Sequence, residues 1–162
     1  MTTGHTADSP PHSRSTFTRR AFLGGSAISI AALGTYSWFY NHRVAFAGNA
    51  IDPPTALQLA GKGEITLIDI RTPREWAKTG VGESANPIDM RREDFITALD
   101  ALVGNDRSKP VALICARGVR SARLSNALTD AGYTNIIDVP EGMLGSDAGP
   151  GWLERGLPVV TQ

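Results

Sequence analysis

The stretch that decides the fold is Val111-Ala112-Leu113-Ile114-Cys115-Ala116-Arg117-Gly118-Val119-Arg120-Ser121. The four apolar residues before the cysteine predict a buried strand. Residues 121–128 follow, and Leu124 and Leu128, four positions apart, predict an amphipathic helix. Cys115 therefore lies where a strand ends and a helix begins. Backbone N–H groups and the helix dipole let such a position bind anions, and they favour a thiolate over a thiol.

Apolar runs and turn residues predict alternating strands and helices over residues 48–162. We expect further strands at 65–70, 85–88 and 135–139, and helices at 55–60, 72–79, 91–103 and 152–155. The helix at 91–103 is expected to bury Phe95, Leu99 and Leu102. Alternation of this kind predicts an α/β fold: a parallel sheet of about five strands with helices on both faces. Because sites form at the carboxyl ends of such strands, Asp69 and Cys115 are expected to face one crevice.

Charge and cysteine usage exclude several functions. The 162 residues carry 16 basic and 16 acidic side chains, so the overall balance shows no nucleic-acid-binding character. A single cysteine leaves no intrachain disulfide and no cysteine-only metal site. The three histidines, at positions 5, 12 and 42, all precede the predicted domain, which argues against zinc and against a Cys–His catalytic pair. We therefore expect no metal and no cofactor.

The first 47 residues differ from the rest. Arg19-Arg20-Ala21-Phe22-Leu23 opens a stretch that has no charged residue as far as position 41, and Ala45-Phe46-Ala47 offers small residues at the two positions that a signal peptidase reads. This order resembles a twin-arginine (Tat) export signal. The resemblance implies passage through the Tat translocon and a periplasmic or exported domain at 48–162. The alternative is an uncleaved signal that anchors the domain, facing outward, to the inner membrane.

The residues after Cys115 suit nucleophilic chemistry on an anion. Cysteine is the strongest nucleophile available, and Gly118 lets the loop fold tightly with its N–H groups converging. Arg117 and Arg120 supply full positive charges that can hold an anionic substrate. With no histidine in the domain, activation of Cys115 is expected to come from backbone N–H groups and these arginines.

The domain resembles the single-domain rhodanese (thiosulfate sulfurtransferase) family over essentially all of residues 50–160. The strand motif comes first, then a short helix and turn, the cysteine loop and a glycine-rich closing third. The matching residues are Ile68-Asp69-Ile70-Arg71, Glu75-Trp76, Thr79-Gly80, Cys115-x-x-Gly118-x-Arg120-Ser121, Ala131-Gly132-Tyr133, Glu141-Gly142-Met143, Gly151-Trp152 and Gly156-Leu157-Pro158-Val159. Two departures are the absence of a histidine in residues 80–85 and Ala116, where some thiosulfate-using members carry a charge.

The resemblance implies that Cys115 takes sulfane sulfur from a small donor such as thiosulfate, holds it as a persulfide, and passes it to a thiol or to cyanide. Arg117, Gly118, Val119, Arg120 and Ser121 form the substrate-binding loop in this interpretation. Asp69 and Arg71 are expected to form a structural ion pair beside the site, and Gly142 to serve backbone geometry. Trp76, Met143 and Trp152 are expected to line the core or the pocket rim.

Two other hypotheses remain open. A sulfur carrier would hold the same persulfide for a partner without turning over thiosulfate, and Ala116 motivates this possibility. A cysteine phosphatase or arsenate reductase of related fold is the other, but such loops place five residues between cysteine and arginine. Here four residues separate Cys115 from Arg120, and Ser121 occupies the next position.

Overall fold

In the computed structural model, residues 1–2 and 45–161 are described. The predicted export signal therefore lies outside the described residues, except for residues 1–2 and 45–47. The described domain belongs to the unit Arg43–Gln162. Within the part of the chain that the structure describes, no helix is long and apolar enough to cross a membrane.

The described domain alternates strands with helices, as predicted. The strands are β1 (Asn49–Ala50), β2 (Thr66–Asp69), β3 (Val81–Gly82), β4 (Ala85–Pro87), β5 (Val111–Ile114), β6 (Ile136–Val139) and β7 (Val159–Val160). The helices are α1 (Pro53–Gly61), α2 (Pro73–Thr79), α3 (Phe95–Leu102), α4 (Val119–Asp130) and α5 (Gly151–Glu154).

Five strands form one parallel sheet in the order β1-β6-β5-β2-β4. In the register, Asp69 of β2 pairs with Ile114 of β5, and Ile114 pairs with Val139 of β6. The carboxyl ends of these three central strands therefore meet at one edge, directly before Cys115. The predicted fold class, a five-stranded parallel α/β sheet, is confirmed.

The sheet is covered on both faces, because successive residues of a strand point to opposite sides. On one face Ile68 and Leu113 join a buried cluster with Phe95 and Leu99 of α3 and with Leu128 of α4. The other face is built from Leu67, Ala112, Ile114 and Val139, which join Ala56 of α1 and Trp152 of α5. Cys115 belongs to the first cluster.

The prediction of a helix at 91–103 was wrong about the residue at which the helix begins and about one of the residues that it buries. The helix begins at Phe95, because Asp89 holds Arg91 in a local turn: its carboxylate accepts from Arg91 N at 3.0 Å and from Arg91 Nε at 3.0 Å. Leu102 is 45% exposed, and Val103, one position on, is buried in its place. At the carboxyl end of the helix, the buried side chain is therefore that of Val103 and not that of Leu102.

Two pairings were not predicted. Residues 49 and 50 add β1 to the edge of the parallel sheet beside β6. The closing segment was expected to be extended, and in the structure its β7 pairs antiparallel with β3 in a separate two-stranded sheet. This small sheet fixes the chain beyond Gly80, so it helps to hold α2 and its Glu75 in place.

Candidate active site

Cys115 lies in the first turn of backbone after β5, at the carboxyl edge of the sheet. Its side chain is buried, with 1% exposure. The Gly118 N–H donates to Cys115 Sγ at 3.2 Å, and Sγ lies 3.6 Å from Ser121 Oγ. The loop therefore turns back on its own cysteine, as the sequence predicts, and offers the sulfur a backbone donor and a hydroxyl group.

Gly118 makes this loop possible. Its φ is +80°, and a Cβ at this position would lie 2.1 Å from the carbonyl oxygen of Pro140. Only glycine fits such a left-handed position against a neighbouring backbone. Helix α4 begins directly afterwards, with no side-chain cap, and its first helical bond runs from Ala122 N to Gly118 O at 3.1 Å. The first-turn amides and the positive end of the helix dipole therefore adjoin the sulfur.

A second glycine turn supports the cysteine loop from the side. Met143 N donates to Cys115 O at 2.9 Å, and Leu144 N donates to Ala116 O at 2.9 Å. Gly142 has φ +69°, and a Cβ there would lie 2.6 Å from Ala116 O. Gly142 therefore serves backbone geometry, because it allows the turn whose N–H groups hydrogen-bond the backbone carbonyls of the cysteine loop.

Arg120, which was predicted to bind an anion, is paired with Glu75 of α2 in the structure. Its Nη1 donates to Glu75 Oε2 at 3.0 Å and its Nη2 to Glu75 Oε1 at 2.5 Å. Hydrogen bonding to Arg120 is the largest of the effects that lower the pKa of Glu75 to about 2. Glu75 in turn raises the pKa of Arg120, and Cys115 adds a smaller contribution in the same direction. Glu75 therefore balances the charge of Arg120 in the cysteine loop.

The remaining loop residues take different positions. Arg117 is exposed, and its Nη1 donates to Gly145 O at 3.3 Å. This hydrogen bond ties the Arg117 guanidinium to the loop after β6. Val119 is half-buried at the start of α4. Ser121 is fully buried, and its hydroxyl donates to Gly118 O at 3.1 Å. Of the predicted substrate-binding residues, Gly118 and Ser121 hydrogen-bond Cys115 Sγ.

Asp69 and Arg71 form the expected ion pair at the carboxyl end of β2. The Asp69 carboxylate is completely buried and accepts from Arg71 Nη2 at 2.7 Å and from Arg71 Nε at 2.9 Å. Arg71 also donates to Thr79 Oγ1 and to Gly80 O, each at 2.7 Å. The pair therefore links the end of β2 to the end of α2. Trp76, Met143 and Trp152 are buried core residues.

Two residues near the cysteine were missed as site residues. Glu75 was read as part of a helix motif, and nothing in the sequence pairs it with a residue 45 positions away. Asp138 was read as one residue of a strand, yet it is buried beside α4, 4% exposed, with its Oδ1 unpartnered. An acidic residue inside the apolar run Ile136-Ile137-Asp138-Val139 was the available signal, because buried carboxylates are rare without a partner.

Among residues 1–2 and 45–161, no group of three or more histidine, cysteine, aspartate or glutamate side chains is placed to hold a metal ion. The side chains and backbone around Cys115 offer one buried thiol, neighbouring amides, a serine hydroxyl and the Arg120–Glu75 pair.

Comparison with known proteins places this cysteine loop in a family. The family model described as "Rhodanese-like domain" matches residues 52–146, which is more than half of the chain and includes Cys115. The chain belongs to the rhodanese-like domain family. The predicted family resemblance of the domain is confirmed.

The relatives with assigned activities are distant. The chain is 29% identical over 111 residues to thiosulfate sulfurtransferase GlpE of Actinobacillus pleuropneumoniae, covering 68% of the chain and 92% of that protein. It is 26% identical over 98 residues to an uncharacterised protein of Rickettsia rickettsii, covering 57% of the chain and 80% of that protein. The solved polysulfide-sulfur transferase homodimer of Wolinella succinogenes has a TM-score of 0.54 and 27% identity, covering 85% of the chain and 90% of the solved one. These similarities support sulfur transfer in a broad sense.

Proposed function

We propose that this protein is a sulfurtransferase in which Cys115 carries sulfane sulfur as a persulfide between a small donor and a nucleophilic acceptor. The observation that carries the proposal is the contact of Cys115 Sγ with the Gly118 N–H at the head of α4. A preorganised donor next to a helix N-terminus stabilises an anionic sulfur without a histidine.

The steps follow from the chemistry of sulfur. The Cys115 thiolate attacks the outer sulfur of thiosulfate, a Cys–S bond forms, and the S–S bond of thiosulfate breaks as sulfite leaves with the electron pair. The acceptor then attacks the outer persulfide sulfur. Cyanide leaves as thiocyanate and a thiolate leaves as its persulfide, and both reactions return Cys115 as a thiolate. Each step places negative charge on sulfur within reach of the loop amides.

The charge around the loop bears on the donor. Glu75 balances Arg120, and Arg117 is turned to Gly145 O, so the site presents less net positive charge than its sequence indicates. A dianion such as thiosulfate costs more to desolvate at such a site than a singly charged donor does. An organic persulfide, which carries one negative charge, is therefore a second donor class to test beside thiosulfate.

A sulfur carrier without steady turnover is the second candidate function. Cys115 is 1% exposed, so an acceptor must reach a buried sulfur or the loop must open for it. A partner protein that moves the loop would meet this need. The phosphatase alternative gains no support, because a loop with five residues between cysteine and arginine would need arginine six positions after Cys115, where the chain has Ser121, and Arg120 faces Glu75.

Experiments with a sulfur donor distinguish a turnover sulfurtransferase from a sulfur carrier. The purified chain is mixed with thiosulfate or polysulfide, and thiocyanate formation from cyanide is followed with time, with Cys115→Ser as control. A turnover enzyme gives linear thiocyanate formation over many equivalents. A carrier gives one equivalent per chain and then stops until a partner is added. Cys115→Ser gives neither.

We propose further that the domain acts outside the cytoplasm, either released or held at the inner membrane. The support is the twin-arginine stretch at Arg19-Arg20 and the small residues of Ala45-Phe46-Ala47. Replacing both arginines with lysine should retain the protein in the cytoplasm, as judged by cell fractionation. Unchanged fractionation of this variant would contradict export by the Tat translocon.

A further inference from the structure

The chain after β6 holds the cysteine loop residue by residue. Three consecutive residues of the cysteine loop are each hydrogen-bonded to one of three consecutive residues beyond β6. The pairs are Cys115 with Met143 at 2.9 Å, Ala116 with Leu144 at 2.9 Å and Arg117 with Gly145 at 3.3 Å. The conformation of the cysteine loop therefore depends on the loop beside it, residues 142–150, which we call the glycine loop.

Glu141, the residue before the glycine loop, is a buried carboxylate that the steps of sulfur transfer leave unused. Its side chain belongs to a residue that is 4% exposed. Glu141 Oε2 accepts from Gly151 N at 2.9 Å and from Arg155 Nε at 2.8 Å, and Oε1 accepts from Arg155 Nη2 at 2.7 Å. Gly151 is the first residue of α5. One side chain therefore joins the start of the glycine loop to the helix that follows its end.

The glycine loop closes tightly against this carboxyl group. A Cβ on Gly149 would lie 2.5 Å from Glu141 Cδ. A Cβ on Gly151 would lie 2.2 Å from Gly145 N. The chain beyond the loop therefore returns into backbone contact with Gly145, and Gly149 lies directly against the Glu141 side chain.

The residues on either side of Glu141 touch the backbone of the cysteine loop. Before it, Pro140 O lies so close to Gly118 that a Cβ on Gly118 would be 2.1 Å away. After it, a Cβ on Gly142 would lie 2.6 Å from a carbonyl oxygen of the cysteine loop. Gly118 is the residue whose N–H donates to Cys115 Sγ at 3.2 Å. A shift of the chain at Glu141 would therefore disturb the contacts that place this donor.

Helix α5 is the support to which Glu141 ties the glycine loop. The amide of Trp152 donates to Gly142 O and the amide of Leu153 donates to Met143 O, each at 3.0 Å. Trp152 is fully buried in the cluster on one face of the sheet. Hydrogen bonds therefore run from this core helix through the glycine loop to the cysteine loop.

A carboxylate suits this role because it accepts several strong hydrogen bonds at fixed positions. Hydrogen bonds to ionised groups are shorter and stronger than those between neutral groups. The hydrogen bonds that Glu141 accepts from Gly151 and Arg155 measure 2.7–2.9 Å. A buried carboxylate that loses its partners is strongly destabilising. The glycine loop is therefore held firmly to Gly151 and Arg155.

We propose that Glu141 is a positioning residue for Cys115: by tying the glycine loop to α5, it fixes the cysteine loop in the conformation in which the Gly118 N–H faces Sγ. The inference rests on the proposed sulfur transfer at Cys115. Because Glu141 is buried and contacts neither donor nor acceptor, its loss should slow sulfur uptake without weakening donor binding.

Native-state amide exchange of the full chain tests the positioning without any sulfur donor. Glu141→Gln keeps the shape of the side chain and removes its charge. The amides of Met143 and Leu144 should exchange about tenfold faster in this variant than in the wild type. The amide of Ile70, which donates to a carbonyl of β5 in the centre of the sheet, should accelerate less. In the matched control, Glu154→Gln, which changes an exposed carboxylate of α5, all three amides should match the wild type.

Steady-state thiocyanate formation separates positioning from donor binding. In Glu141→Gln the kcat should fall about tenfold or more, while the KM for thiosulfate should change less than about twofold. Arg107→Met is the control for stability, because it breaks the pair with Asp100 before the amino end of β5, far along the strand from Cys115. This control should lower the free energy of unfolding and leave kcat unchanged.

Equal acceleration of the Met143, Leu144 and Ile70 amides in Glu141→Gln overturns the proposal, because a merely structural role lowers stability throughout the domain. An unchanged kcat, or a raised KM at unchanged kcat, also overturns it. Arg155→Met removes two of the three hydrogen bonds to Glu141 and should accelerate exchange of Met143 and Leu144 in the same way, so it decides the question if Glu141→Gln does not fold.

The two proposals can fail separately. If the wild type takes up no sulfur from any donor, the proposed function fails, while amide exchange still shows whether Glu141 fixes the glycine loop. If the wild type transfers sulfur and Glu141→Gln does so with the same kcat, the proposed function stands and the role of Glu141 is refuted.

Discussion

Arg120 in the cysteine loop and Glu75 in α2 face each other through two hydrogen bonds, at 3.0 and 2.5 Å, although 45 positions separate them in the chain. Glu75 also caps its own helix, because its Oε2 accepts from Thr72 N at 3.0 Å. One carboxylate therefore ties the start of α2 to the start of α4. The same contact withholds most of the positive charge of Arg120 from an incoming anion.

Releasing Arg120 should improve binding of an anionic donor. In Glu75→Gln the guanidinium keeps its charge and loses its counter-charge, so the KM for thiosulfate should fall about three- to tenfold. This KM is measured from steady-state thiocyanate formation at low salt. The matched control is Glu83→Gln, which removes an exposed carboxylate. An unchanged or higher KM for thiosulfate in Glu75→Gln would show that Arg120 does not contact the donor.

The same pair should support stability above acidic pH. The pKa of Glu75 is lowered to about 2 in the folded chain, against an ordinary value of 4.5. A lowered pKa stabilises the folded state above pH 4.5, and this contribution is lost as the pH falls towards 2. Because the pair is about one-third exposed, we expect about 1–2 kcal/mol. The difference in free energy of unfolding between wild type and Glu75→Gln should therefore shrink on acidification. A difference that stays constant with pH would contradict this.

Much of the fold could be predicted because its signals are local. Four consecutive apolar residues specify β5, Thr72 and Pro73 specify the start of α2, and both were found in the sequence. The start of α3 was missed because Asp89 captures Arg91 in a turn, which competes with helix formation. Strands of two residues, such as β3 and β7, are too short to show a periodic pattern in the sequence. Their pairing depends on tertiary contacts, so it was not predicted.

The contact at the centre of the site could be predicted from the sequence, but the residues that surround this contact could not. Cys115 and Gly118 share one loop, so their contact follows from local sequence. The pairing of Arg120 was not predicted because its partner, Glu75, lies in another helix and no sequence spacing relates the two. Asp138 was overlooked because its burial, at 4% exposure, depends on the tertiary packing around β6.

Gly118 should be essential to the loop. In Gly118→Ala the new Cβ would lie 2.1 Å from Pro140 O at φ +80°, so we expect a loss of at least about 3 kcal/mol in stability and loss of persulfide formation. Gly132 is the control, since its φ is +92° with nothing within 4 Å of an added Cβ. Gly132→Ala should cost about 1 kcal/mol and leave persulfide formation intact. Equal losses for both variants, measured by urea denaturation, would contradict a special role for the loop.

The buried Asp69–Arg71 pair should matter far more than a surface pair. Arg71→Met leaves the fully buried Asp69 carboxylate without its partner, which should cost about 3–5 kcal/mol. In the control, Arg92→Met, the pair with Asp94 is half-exposed and the cost should stay below about 0.5 kcal/mol. Urea denaturation measures both. A small loss for Arg71→Met would contradict a structural role for the buried pair.

The intact mass of the chain after a single pulse of sulfane donor tests most directly whether Cys115 carries sulfur. Because the chain has one cysteine, the wild type should gain the mass of one sulfur atom and lose it again when cyanide is added, with one thiocyanate released per chain. Cys115→Ser should gain nothing. Failure of the wild type to gain sulfur from thiosulfate, polysulfide and an organic persulfide alike would contradict the proposed function.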